Sequence, residues 1–74
     1  MTATITSMDY RLVDTLNADQ LEPQDLIGLG DEVVKILNIL PAKTGFVIEY
    51  ENEFGEKDFC DILDDEQFDL YILE

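Results

Sequence analysis

Few of the 74 residues are equipped for acid–base or nucleophilic chemistry. The chain has no His, so the side chain that most often moves protons near neutral pH is missing. Cys60 is the one thiol. A nucleophilic cysteine needs a base or positive surroundings to become a thiolate, and Asp58 and Asp61 beside it favour the neutral form. It therefore reads as a core residue. One Cys and no His exclude a zinc site built on those ligands. Asp58, Asp61, Asp64, Asp65 and Glu66 are close in sequence, but lack the spacing and central glycine of a calcium loop. No cofactor and no dedicated metal site are expected. Gly28-Leu29-Gly30 precedes Asp31 and Glu32 with no following lysine, so it reads as a hairpin turn rather than a phosphate cradle. The chain is expected to be non-enzymatic.

Charge is the feature that rises above this background. The formal net charge is -14, from 18 carboxylates and 4 basic residues. Residues 1–48 hold seven acids and three bases, whereas residues 49–74 hold eleven acids and one base. Such a charge repels phosphate backbones, so direct nucleic-acid binding is not expected. Along the segment from Phe46, a period of two puts Glu49, Glu51 and Glu53 on one face, roughly 6.5–7 Å apart in an extended strand. With Asp58, Asp61, Asp64, Asp65, Glu66 and Asp69 nearby, they could present a phosphate-like array to a basic protein. The plainer reading is that these acids face water and keep a small protein soluble.

The elements that would position these residues are short and separated by turn signals. Residues 1–9 read as a flexible lead-in or edge segment, and 10–74 as a single β domain. Tyr10–Asn17 is strand-like. Asn17 or Asp19 can open one short helical turn, which Pro23 keeps from extending. Asp25–Ile27 leads into the Gly28–Asp31 reversal. Glu32–Leu40 is rich in β-branched residues, which favours a strand, although it also fits a two-turn helix capped by Asp31. Phe46, Ile48 and Tyr50 alternate with Val47, Glu49 and Glu51, giving one apolar and one mostly acidic face. Asn52–Gly55 supplies a hairpin turn. Lys57–Leu63 returns with Cys60 and Ile62 inward, and Phe68–Ile72 closes the chain with a further alternation. About five short antiparallel strands imply an all-β fold, a small barrel or rolled sheet that buries one apolar face without a helical layer.

The run Leu21-Glu22-Pro23-Gln24-Asp25-Leu26-Ile27, followed by Gly30-Asp31-Glu32-Val33-Val34-Lys35-Ile36, resembles the opening hairpin of small SH3-like, KOW-like barrels. These include the N-terminal domain of translation elongation factor P and similar bacterial and phage-borne modules. Leu21, Pro23, Asp25 and Ile27 match the pattern Leu-x-Pro-Gly-Asp-x-Ile/Val, and Gln24 stands where the family has glycine. The resemblance covers residues 21–40 and implies an SH3-like barrel. The RNA contacts of translation-associated members rest on basic surfaces, which this chain lacks, so they do not carry over.

Two functions are expected to compete. In the first, an acidic binding module acts as an inhibitor or adaptor of a basic or nucleic-acid-binding protein, through Glu49, Glu51, Glu53, Asp58, Asp61, Asp64, Asp65, Glu66 and Asp69, with Phe54 and Tyr71. In the second, a structural module forms a homo-oligomer. Tyr50, Phe54, Phe59, Phe68 and Tyr71 exceed what so small a core can hold, leaving an aromatic patch, and Leu70–Leu73 could pair along an open edge. From the lone thiol, the absence of a secretory leader pattern and the lack of an apolar run of spanning length, the chain is expected to be cytoplasmic and away from the membrane.

Overall fold

A computed structural model describes residues 10–73, and the lead-in expected over residues 1–9 lies outside them. Six strands follow one another: β1 (Tyr10–Asn17), β2 (Leu26–Leu29), β3 (Glu32–Pro41), β4 (Gly45–Glu51), β5 (Lys57–Leu63) and β6 (Gln67–Leu73). A single 3-10 turn, Ala18–Gln20, joins β1 to the segment before β2. The sheet order is β1-β6-β2-β3-β4-β5, with every neighbouring pair antiparallel. Glu32–Leu40 is thus a strand, as its β-branched residues favour. The short run before Gly30 is a strand in its own right, making six strands where about five are expected.

Alternation decides which residues meet. Ile27, Val34, Ile36, Ile48, Ile62 and Phe68 turn to one side and are buried, joined there by Ala18 and Leu21 from the connection after β1. That connection stands in for a second layer, since the 3-10 turn lies against β4 and Ala18 and Leu21 are almost wholly covered. Each Val, Leu, Ile or Phe side chain among them removed from water contributes about 1.5–3 kcal/mol. In β3 the register slips between Ile36, opposite Tyr50, and Asn38, opposite Glu49. Leu37 is the additional residue, and the slip makes Ile39 rather than Asn38 the next side chain to pack on the core.

The turns follow local chemistry. Gly30 and Gly55 take φ of 63° and 79°, which glycine adopts without steric cost. Asn52 organises the β4–β5 loop, its side-chain oxygen accepting the N–H groups of Phe54 and Glu56 at 2.9 and 3.0 Å. Between Glu22 and Asp25 the chain makes a type II reversal, with the Asp25 N–H donating to the Glu22 carbonyl at 3.2 Å. Gln24 occupies the position of that turn that demands positive φ, at 82°.

The expected SH3-like barrel is not formed, and the resemblance over residues 21–40 extends only to this local turn. The sheet is open: among the described residues no ladder joins β1 to β5. Hydrogen bonding along the two outer strands supplies a physical reason. The Asn52 N–H donates to the Glu56 carbonyl and the Asp64 N–H to the Thr44 carbonyl. Bonded pairs alternate in an antiparallel ladder, so the N–H groups of Lys57, Phe59, Asp61 and Leu63 point away from β4. The Asp58 carboxylate accepts from Phe59 at 2.8 Å and the Glu66 carboxylate from Leu63 at 2.9 Å. On β1, the Ala18 N–H donates to the Glu66 carbonyl, which leaves the N–H groups of Thr15 and Asn17 facing outward. Asp14 accepts from Thr15 at 2.8 Å and the Gln20 side chain from Asn17 at 2.9 Å. Four of the donors that would close a barrel, those of Thr15, Asn17, Phe59 and Leu63, are already taken by the chain's own side chains.

The C-terminal segment is also not the outer strand that Leu70–Leu73 suggests. β6 lies inside the sheet, bonded to β1 on one side and, at Leu70 and Tyr71, to β2 on the other.

Candidate protein-binding face

The side of the sheet away from the core carries the residues of interest. On β4 the outward positions are Val47, Glu49 and Glu51, because Ile48 is buried and Phe46 and Tyr50 pack on the core. On β5 they are Lys57, Phe59, Asp61 and Leu63, because Cys60 and Ile62 turn inward. Register sets these side chains in rows: Leu40, Val47 and Asp61; Asn38, Glu49 and Phe59; Lys35, Glu51 and Lys57. The β4–β5 pairs in these rows are the non-hydrogen-bonded ones, in which facing side chains come closest.

These rows redistribute the expected acidic array. Glu51 has Lys35 opposite it on one flank and Lys57 on the other, so half of the chain's four basic residues stand beside a single carboxylate. Glu49 accepts a hydrogen bond from the Asn38 amide at 2.7 Å. Glu53 sits in the β4–β5 loop, where it helps to line a shallow hollow of about 300 Å³ together with Tyr10, Leu26, Val33, Lys35 and Leu73. Asp58 pairs with Tyr50 on the core side of the sheet, at its rim.

Asp64 and Asp65 form the β5–β6 turn at the far end of β5, closed by the Glu66 N–H donating to the Leu63 carbonyl at 3.1 Å. Glu66 itself is occupied with the Leu63 N–H. Asp69 is on β6, where it accepts from the Thr15 hydroxyl at 3.4 Å. Two strands, β2 and β3, separate β6 from β4, a distance of about 14 Å across the sheet. The structure therefore gathers Glu49, Glu51 and Asp61 on one face, with Asp64 and Asp65 at its end, and sets the other acids apart.

The aromatic residues divide as a small core requires. Phe68 is buried, while Tyr50 and Tyr71 are half-buried. The Tyr71 ring lies over Gly28, where a β-carbon would come to 3.3 Å from it. Phe54 is 83% exposed at the loop tip and Phe59 60% exposed on the outward face of β5. Leu40 and Leu63 are 52% and 53% exposed on that same face. Sequence reading left Leu40, Val47 and Leu63 out of the binding set and gave Phe59 only to the patch of the homo-oligomer reading. Their signal was the even spacing of Phe59 and Leu63 from Asp61, opposite in phase to Cys60 and Ile62.

Among the described residues with displaced pKa, Cys60 and Tyr50 pack against the core, whereas Tyr10 lines the hollow beside Glu53 and Lys35. Burial pushes the Cys60 thiol up, helped by the negative charges of Glu66, Asp61 and Asp58. Its sulfur lies 3.5 Å from the Asp61 carbonyl, to which the thiol donates. Cys60 is thus a protonated thiol near neutral pH, packed against the core as its sequence neighbours suggest. Desolvation first, then Asp58, Cys60 and Glu32, raise the Tyr50 hydroxyl. Among the described residues no group of three His, Cys, Asp or Glu side chains is placed to hold a metal ion, and no helix is long and apolar enough to cross a membrane.

Comparison with known proteins adds no relative: no family model matches the chain, and no curated protein and no solved structure matches it.

Proposed function

We propose that this chain is a non-enzymatic, cytoplasmic protein-binding module that takes a basic protein on the outward face of β3, β4 and β5, as an adaptor or inhibitor of that partner. The observation that carries this reading is the mixture of side chains on one surface that the described residues leave uncovered. Phe59, Leu63 and Leu40 stand more than half exposed beside Val47, and Glu49 and Asp61 are interleaved with them. Exposed apolar groups set among charges of one sign mark a surface that loses water on association and selects its partner by charge. A net charge of -14 draws cationic surfaces from a distance and repels a second copy of the chain.

Capture of proteins from a lysate on the immobilised chain, at low and at high salt, tests this. Basic proteins should be enriched at low salt and released as salt screens the attraction. Replacing Phe59 with Ala should reduce capture by about tenfold or more, as loss of an aromatic anchor does. Equal capture of acidic and basic proteins, or no dependence on Phe59, would overturn the reading.

A further inference from the structure

Resting on the protein-binding reading above, we propose that the partner engages this face as a cationic amphipathic helix, and not as a strand added to an edge of the sheet.

An open sheet normally offers its edges for strand addition, because each edge carries a row of unpaired N–H and C=O groups. Here both rows are interrupted by the chain itself. On β5, Asp58 holds the Phe59 N–H and Glu66 holds the Leu63 N–H, while the Cys60 thiol donates to the Asp61 carbonyl between them. On β1, Asp14 and Gln20 hold the N–H groups of Thr15 and Asn17. An incoming strand would have to displace two acceptors on either edge before forming its own ladder. Edge pairing is opposed on both edges by these occupied donors.

Among the described residues the face has no such obstruction. Three adjacent strands span about 10 Å, the width of one α-helix with its side chains. Leu40, Val47, Phe59 and Leu63 offer the apolar contact that a helix needs along one stripe. Glu49 and Asp61 lie within that contact and Asp64 and Asp65 at its end, where lysine or arginine flanking the stripe would meet them. The opposite end is balanced, since Glu51 stands between Lys35 and Lys57. The partner's cations are therefore read by Asp61, Asp64 and Asp65 more than by Glu51. Charge also chooses between occupants: a second copy brings another -14 to an already acidic surface, whereas a cationic helix neutralises it.

Two synthetic peptides of equal length and charge discriminate the modes. One carries leucine and lysine at helical spacing, and the other alternates valine and lysine as a strand. Each is titrated into the isotopically labelled full chain at low salt. The helical peptide is expected to bind, to gain helicity in circular dichroism, and to perturb Leu40, Val47, Phe59 and Leu63. The amides of Phe59 and Leu63 should keep their exchange rates. The pair Phe59→Ala and Leu63→Ala should weaken binding by about tenfold or more, and Asp61→Asn with Asp64→Asn and Asp65→Asn by more than Glu51→Gln. Phe59, Asp61, Leu63, Asp64 and Asp65 are exposed and Glu51 is half-buried but outside the core, so the variants retain the core, and unchanged spectra outside the face check this.

Tighter binding of the strand peptide, further tightened by Asp58→Ala with Glu66→Ala, would overturn the inference and leave the protein-binding reading intact. So would binding of the helical peptide that depends on Glu51 and not on Asp61. Binding of neither peptide would overturn both, and so would sedimentation showing a dimer whose contact residues are Leu40, Phe59 and Leu63.

Discussion

The carboxylate of Asp58 accepts the backbone N–H of Phe59 at 2.8 Å on the outermost strand of the sheet. Asp14 does the same for Thr15 on the opposite edge. In both, the side chain of the preceding residue turns along the strand and covers a donor that no neighbouring strand can reach. These acids are part of how an open sheet avoids pairing with copies of itself, which gives a share of the chain's excess negative charge a structural role.

Removing both caps should expose those donors. The double variant Asp14→Ala, Asp58→Ala is expected to keep its fold, because both residues are exposed, with a stability change of about 1 kcal/mol or less. It should nevertheless associate with itself at concentrations where the native chain does not. Sedimentation velocity across a concentration series checks this; identical behaviour of variant and parent would show that the caps do not govern pairing.

Gln24 holds φ of 82° in a turn where its side chain confers no freedom. A left-handed conformation costs a residue with a β-carbon roughly 1–2 kcal/mol, part of which glycine returns through the greater freedom of its unfolded chain. Gln24→Gly should therefore stabilise the fold by about 0.5–1 kcal/mol, and Gln24→Ala should not. The urea midpoint should rise with an unchanged m-value, since the surface exposed on unfolding stays the same.

That turn also marks how far local sequence reaches. The Phe46, Ile48, Tyr50 alternation, the Asn52–Gly55 loop and the inward pair Cys60 and Ile62 are all legible, because each depends on neighbours within one hairpin. The 3-10 turn after Asn17 and the reversal around Gly30 are legible for the same reason. Closure of the sheet is not local. It involves the outward donors of β1 and β5, and only the folded register shows Asp14, Gln20, Asp58 and Glu66 taking four of them. The placement of β6 between β1 and β2 joins residues more than forty positions apart, beyond any periodicity. The site was half legible. A period of two puts Glu49 and Glu51 together, but the lysines beside Glu51 come from separate strands, and only pairing reveals them. Leu37, the additional residue in β3, likewise leaves no mark in composition yet decides that Ile39 packs inward.

Two glycines predict costs of different size on substitution. A β-carbon at Gly45 would collide with the Ile62 carbonyl oxygen and lie 2.8 Å from the Leu63 α-carbon. Both are backbone atoms of the neighbouring strand, so the ladder itself must move. Gly45→Ala should cost about 2–3 kcal/mol. At Gly28 the nearest atom is the Tyr71 ring at 3.3 Å, a side chain that can shift, and Gly28→Ala should cost under about 1 kcal/mol. Thermal melts of the two variants side by side distinguish backbone collision from side-chain contact.

Alkaline conditions should destabilise the chain through three groups. Desolvation, followed by nearby negative charge, raises Cys60, Tyr50 and Tyr10 alike. Each holds its proton more tightly folded than unfolded, so the native state binds more protons as these groups titrate. Stability must then fall with rising pH, because the slope of unfolding free energy follows the protons bound by the unfolded state minus those bound by the native one. The contribution is complete below the unfolded pKa values, about 8.5 for cysteine and 10 for tyrosine, and is lost as pH climbs through the folded ones. Melting temperature should be steady from neutrality to about pH 8 and decline above it. Cys60→Ala should remove the first part of the decline and Tyr50→Phe the later part. A melting temperature that holds level past pH 10 in the native chain would show that these groups titrate alike in both states.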